Sequence, residues 1–232
     1  MIESILWGVA VIAPAALIAI ILHEIAHGWA ANALGDPTAK RLGRLSLNPA
    51  RHVDPFGTIA LPLILFGLQW MTIGRVEFLF GWAKPVPVDT RYFRSPRQDM
   101  ALVAAAGPAM NLVLAFAIAA MGHLVDIPPR PVGIFFAEMI LFAVQINLLL
   151  MLFNLIPVPP LDGGRILVGL LPLGPARALA QLEHAGIFIV LFGLFVVPAI
   201  LRQAGIPSDP IGQWLLPPLF WLRRLVFTVV GL

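Results

Sequence analysis

Hydrophobic positions along the chain gather into long runs, separated by short polar stretches, and the runs have the length of membrane helices. Residues 4–30, 100–123, 133–156 and 178–201 each approach or exceed the ~20 apolar residues that cross a bilayer as a helix. A fifth run, from 211 to about 230, carries Pro217, Pro218, Arg223 and Arg224, so it reads as a span or as an interfacial helix. "FGTIALPLILFGLQWMTIG" at 56–74 contains Pro62 and three glycines, features of a segment that enters the membrane and returns. Residues 75–97, "RVEFLFGWAKPVPVDTRYFRSPR", alternate β-branched and aromatic residues with polar ones before prolines intervene, which predicts a short membrane-surface β hairpin. The expected fold is an all-α polytopic membrane protein of about five to six transmembrane helices with a re-entrant segment and that hairpin. It forms a single domain, 1–232, with a catalytic core over about 4–170 and C-terminal helices over about 178–232.

Composition agrees with a bilayer-embedded chain and removes other classes. Hydrophobic residues make up 59% and charged residues 12%, with a mean hydropathy of +0.92, too apolar for the surface of a soluble domain. The net charge of +3 is scattered through loops, so it reports membrane orientation and gives no sign of nucleic-acid binding. Cysteine is absent, which excludes disulfides and thiolate ligands and leaves His, Asp and Glu to hold any metal. Glu3 replaces a basic leader region and no Ala-x-Ala site follows, so the first run is expected to be a retained span.

Ionisable residues inside these runs are the informative exceptions, because charge at membrane depth is costly unless it pairs, binds an ion or lines a wet cavity. "LIAIILHEIAHGWAANAL" at 17–34 places His23, Glu24 and His27 in an apolar helix. Histidines four apart share one helix face and can grip one Zn²⁺, leaving the glutamate outside the ligand set as a general base. Catalytic zinc usually takes three protein ligands, so a third must come from elsewhere. Asp162 in "FNLIPVPPLDGGRIL" is the strongest candidate: Pro157, Pro159 and Pro160 break the preceding span and leave backbone groups that must line a cavity. His52 and Asp54 in "NPARHVDPFG" are rivals, with turn chemistry around Pro49 and Pro55 as their simpler role. Asn111 reads as interhelical glue, and Glu138, Gln145 and Asn147 as buried hydrogen-bonding partners.

HEIAHG followed by NLIPVPPLDGGR resembles the site-2 protease family of intramembrane zinc metalloproteases, and "NPARHVDPFGT", "GWAKPVPV" and "AAAGPAMN" resemble its compact prokaryotic members. The likeness runs from about residue 20 to 170, with neither a PDZ insertion nor a CBS domain, and no metal-motif position departs from the pattern. It implies His23, His27 and Asp162 as ligands of one Zn²⁺ per chain, Glu24 as catalytic base and Asn154 as the residue that helps position the scissile peptide.

A shared ion requires the first span and the span before Asp162 to run parallel, which leaves one net crossing between them and makes 56–74 re-entrant. Eleven Lys and Arg residues then lie on one face, against Arg130 and Arg202 on the other, so the metal site is expected to open toward the cytosol of a prokaryotic cell membrane. A helical substrate must unwind before hydrolysis, and residues 75–88 are expected to receive it by β-augmentation. The function read from the sequence is regulated intramembrane proteolysis of membrane-anchored proteins in the lipid bilayer, with oligomeric state left open. The alternative is a zinc transporter or metal-binding membrane protein; Glu24 argues against it, since neither role needs a base beside the metal.

Overall fold

The computed structural model describes residues 2–74, 81–125, 129–206 and 211–232. Ten α-helices occur among them: α1 (Ile2–Ala33), α2 (Thr38–Arg41), α3 (Leu61–Ile73), α4 (Pro96–Ala120), α5 (Arg130–Asn154), α6 (Asp162–Leu170), α7 (Leu173–Ala180), α8 (Gly186–Leu191), α9 (Val197–Gln203) and α10 (Leu216–Val230). Among the described residues, four stretches are long and apolar enough to cross a membrane: Ala10–Ala33, Pro55–Thr72, Pro96–Leu124 and Arg130–Asn154. The protein is an all-helical membrane protein, and large apolar side chains such as Ile18, Leu63, Leu102, Val113, Ile134 and Leu141 face outward. That inversion of the soluble pattern is what a lipid solvent demands.

Helices α1, α4 and α5 form the centre, and polar contacts set their directions. His27 meets Val103 while Ala19 and His23 meet Asn111, so α4 runs antiparallel to α1. Trp7 bonds Glu138 and stacks edge-on with Phe135, at the opposite end from His23, so α5 runs parallel to α1. Small residues make this close packing possible. Ala15, Ala19, Ala26 and Ala31 of α1 and Ala101, Ala104, Ala115 and Ala119 of α4 are buried, letting backbones approach where lipid supplies no hydrophobic drive between helices. Ala115, Ala119, Ile140, Val144 and Leu148 continue the core toward α10, which contributes Leu219 and Val226.

Between α1 and α4 the chain leaves one end of the bundle and comes back to it. Asp54 starts the excursion as a helix cap, its Oδ1 accepting from the N–H groups of Phe56 and Gly57, and a π-helical turn (Pro55–Ala60) leads into α3. By Trp82 the chain is again beside the foot of this helix: Trp82 N–H donates to Gly57 O (3.1 Å) and Thr58 Oγ1 donates to Trp82 O (2.8 Å). Asp36 then accepts from Asp89 N–H (2.8 Å), and Phe93 packs with Ala31 and Val103. Residues 34 and 95 therefore lie at the same end of the bundle, and 55–72 between them is one unbroken helical stretch.

Other expectations are refined. Of the expected hairpin, residues 75–80 lie outside the described residues, and 81–89 form neither helix nor strand. The apolar run at 178–201 is divided into α7, a 3₁₀ turn (Gln181–His184), α8, a π turn (Phe192–Val196) and α9. Pro198 lies inside this continuous helical run, directly after the π turn, where a helix accommodates the N–H that proline lacks by a local change of pitch. Helix α10 lies along α4 and α5, with Arg223 against Gln145 and the Val230 carbonyl against His123. Glu138 is exposed on the flank of α5, bonded to Trp7, and is not a buried partner as its spacing implied.

Candidate metal centre

His23 and His27 project one turn apart from α1 toward α4, as their spacing requires. Asp162 arrives from the far side, as the first residue of α6. The turn that delivers it folds tightly because residues 163 and 164 are glycines. A Cβ on Gly163 would strike the Leu155 carbonyl, and one on Gly164 would strike Pro159 N. Asp162 does not cap its own helix: Leu161 holds the cap position, with no side-chain bond.

The three side chains meet at close range. Asp162 Oδ2 lies 3.2 Å from His23 Nε2 and 3.4 Å from His27 Nε2, and the two Nε2 atoms are 3.0 Å apart. Each histidine has its other nitrogen committed: His23 Nδ1 to Asn111 Oδ1 at 2.6 Å and His27 Nδ1 to the Val103 carbonyl at 2.8 Å. Both acceptors are oxygens, so the single hydrogen of each neutral ring sits on Nδ1 and both Nε2 atoms present lone pairs. Asp162 Oδ2 is buried without a hydrogen-bond donor. Three electron-rich atoms converging without a hydrogen between them repel one another unless a cation joins them. Two imidazoles and one carboxylate suit Zn²⁺, with a coordination position left for water or substrate. The donor set therefore fits the ion that the spacing predicts.

Glu24 stays out of this cluster. Its Oε2 accepts the Val86 N–H at 2.9 Å, which fixes the carboxylate beside a cavity of about 390 Å³ that His23, His27, Asn154 and Asp162 also line. Asn154, the last residue of α5, donates one amide hydrogen to Leu150 O (3.0 Å) and keeps its second amide hydrogen and its oxygen for the cavity. An adjoining cavity of about 570 Å³ shares Pro85, Val86, Val88, Met100 and Arg165 with the first, so the two make one groove past residues 85–88.

The rival ligands do not join the cluster. His52 Nε2 donates to Ser46 O at 2.7 Å, and Asp54 is the helix cap already described. Their stretch instead braces the groove, because His52 O accepts from Lys84 N–H (2.8 Å) and Arg44 donates to Lys84 O (2.6 Å). Asn111, read from the sequence as glue, touches a candidate ligand directly. Its signal was a lone amide within an apolar span, four residues after Gly107, at the depth of the histidines.

Comparison with known proteins decides the family. "Putative zinc metalloprotease YwhC" of Bacillus subtilis is 41% identical over 194 residues, 78% of this chain and 78% of its own length. Residues 124–197 match peptidase family M50. The chain belongs to that family. "Putative zinc metalloprotease Rip2" of Mycolicibacterium smegmatis is 31% identical over 186 residues, covering 80% of this chain and 66% of that protein. Its namesake in Mycobacterium tuberculosis strain H37Rv is 27% identical over 210 residues, covering 90% and 71%. No solved structure matches the chain. As an M50 member the chain is a metalloprotease of the membrane, and it brings together a cluster of metal-ligating groups, an adjacent carboxylate and a groove.

Proposed function

We propose that this M50 peptidase is an intramembrane zinc endopeptidase that hydrolyses a peptide bond in or near the transmembrane segment of membrane-anchored proteins. The observation that carries the reading is the convergence of two bare imidazole nitrogens and an undonated carboxylate oxygen on a cavity that Glu24 shares. His23, His27 and Asp162 hold the zinc, one ion per chain. When bound, Zn²⁺ acts as a Lewis acid, polarising the scissile carbonyl and lowering the pKa of water to about 7. Glu24 takes a proton from the attacking water and delivers it to the leaving amine; the Val86 N–H holds the carboxylate in place while its second oxygen stays available.

Asn154 donates its free amide hydrogen to the substrate backbone or to the developing oxyanion. Removing such a donor costs ~10²-fold in rate. Asn154→Ala is therefore expected to lower kcat by about that factor with zinc content unchanged, measured by single-turnover cleavage; unchanged turnover would remove Asn154 from the mechanism.

The unwound substrate lies in the groove along residues 81–88. There the N–H groups of Trp82, Lys84 and Val86 are all tied to the protein, to Gly57, His52 and Glu24. Pro85 and Pro87 carry no N–H, so the opposite edge of this segment accepts hydrogen bonds more than it donates them. The metal site faces the cytosol, because the excursion that carries most Lys and Arg residues begins and ends at the bundle end where His27 and Asp162 lie. With no native cysteine to interfere, Ser95→Cys is expected to react with a membrane-impermeant thiol reagent only in inverted vesicles. Labelling in right-side-out vesicles would reverse the orientation.

The deciding experiment is cleavage of a single-span reporter by the purified chain in lipid vesicles, with chelation and zinc restoration as arms. Cleavage that disappears on chelation and returns with zinc supports the reading. Zinc flux across the vesicle without cleavage would favour the transporter alternative.

A further inference from the structure

We infer that Asn111 is a positioning residue of the metal centre, holding His23 in the tautomer and ring plane that turn Nε2 toward the cation, through a hydrogen-bond chain of fixed direction. The inference rests on the reading of His23 as a ligand and adds the device that makes it one.

The direction of the chain follows from groups that can only accept. The Ala143 carbonyl accepts from Asn147 Nδ2 at 2.8 Å, so Asn147 turns its Oδ1 toward Asn111. Asn147 Oδ1 and the Ala19 carbonyl then both accept from Asn111 Nδ2, at 3.0 and 3.3 Å, and this spends both hydrogens of that amide. Only Asn111 Oδ1 is left to face His23 Nδ1, at 2.6 Å. His23 must donate there, and its Nε2 is left bare beside Asp162.

Burial makes the arrangement hold. Asn111 and Asn147 are 0% exposed and His23 is 7% exposed, so no bulk water can replace a lost partner. The chain draws on α1, α4 and α5 together, so assembly of the three helices itself orients the ligand. A group hydrogen-bonded to a ligating histidine typically contributes 10–100-fold to metal affinity.

The test is Zn²⁺ affinity by chelator competition, with thermal unfolding of the metal-free forms, on the purified full chain and its variants. His23→Ala is expected to lose high-affinity zinc; if it binds as wild type does, the ligand reading falls and takes this inference with it. Asn111→Ala is expected to weaken binding 10–100-fold. Asn111→Asp keeps an oxygen that accepts from Nδ1 but gives up the Nδ2 donation to Asn147 and Ala19, so it should unfold at a lower midpoint than wild type yet bind zinc more tightly than Asn111→Ala. Asn147→Ala should stay within a few-fold of wild-type affinity even where its unfolding midpoint drops, because Asn111 Oδ1 remains. Wild-type affinity in Asn111→Ala, or affinity falling in step with the midpoint in all three variants, would reduce Asn111 to a helix pin. Should Asn111→Ala not accumulate as folded protein, ¹⁵N NMR of histidine-labelled, zinc-loaded wild type reads the tautomer directly. Hydrogen on Nδ1 and metal on Nε2 of His23 uphold the assignment; the reverse overturns it.

Discussion

Glu24→Gln is expected to abolish peptide hydrolysis while leaving the metal centre loaded. The substitution is nearly isosteric, and the amide oxygen of glutamine still accepts the Val86 N–H that holds the native side chain at 2.9 Å. No contact between Glu24 and the His23–His27–Asp162 cluster is needed to keep that cluster assembled. What the variant lacks is a group that takes up a proton at neutral pH. A positioned general base contributes ~10²–10⁴-fold, so turnover should fall by at least that lower figure. Reporter cleavage in vesicles, with bound zinc measured by elemental analysis in both proteins, checks the split. Cleavage above a tenth of the wild-type rate with zinc retained would move the base elsewhere; loss of zinc would make Glu24 part of the ligand set.

Gly107→Ala should produce the opposite pattern, an assembled bundle that no longer holds zinc. A Cβ at this position would lie 2.5 Å from His27 Cε1 and Nε2 and 2.6 Å from His23 Cε1. Both rings must then move, yet each is held at Nδ1 by α4 itself, through Asn111 and Val103. The crowding therefore acts on the ligand geometry. Alanine is the better helix former by about 1 kcal/mol, an effect that favours α4 and partly offsets overpacking of ~1–3 kcal/mol. Zinc affinity is expected to fall by about 10²-fold or more, with activity lost in parallel, because displacement of ligands exceeds the 10–100-fold cost of losing their supports. Gly67→Ala, with no atom within 4 Å of the added carbon, is the matched control and should bind and cleave normally. Wild-type zinc affinity in Gly107→Ala would show that the rings relax without cost.

Glu24 is legible in the sequence because a helix has a fixed period: four residues bring two histidines to one face wherever the helix lies. Gly107 is not, since nothing within "AAAGPAMN" says which helix its small face meets. The same holds for Val86, whose backbone N–H orients Glu24 across 62 residues of chain. His52 and Asp54 carried ligand chemistry in the sequence and spend it on a carbonyl and a helix start. Asp162 lay between: its proline-broken surroundings predicted a cavity, and only the packing of Gly163 and Gly164 on the preceding turn explains how it reaches the histidines. The C-terminal run at 178–201 shows the converse limit, because hydropathy measures solvent preference and does not register where a helix changes pitch.

By itself the sequence determined the solvent, the helical class, the metal vocabulary and the pair of motifs with their adjacent glutamate. These depend on local periodicity and on the high cost of charge in hydrocarbon, which hold for any arrangement of the helices. Tertiary structure decided which groups meet. It set α1 and α5 parallel and in contact, with α4 packed antiparallel against α1, returned the chain by residue 95 to the end it left, and gave each histidine an oxygen that turns its other nitrogen toward Asp162. Such contacts join residues as far apart in the chain as His23 and Asp162, and their geometry is fixed only when helix faces interlock.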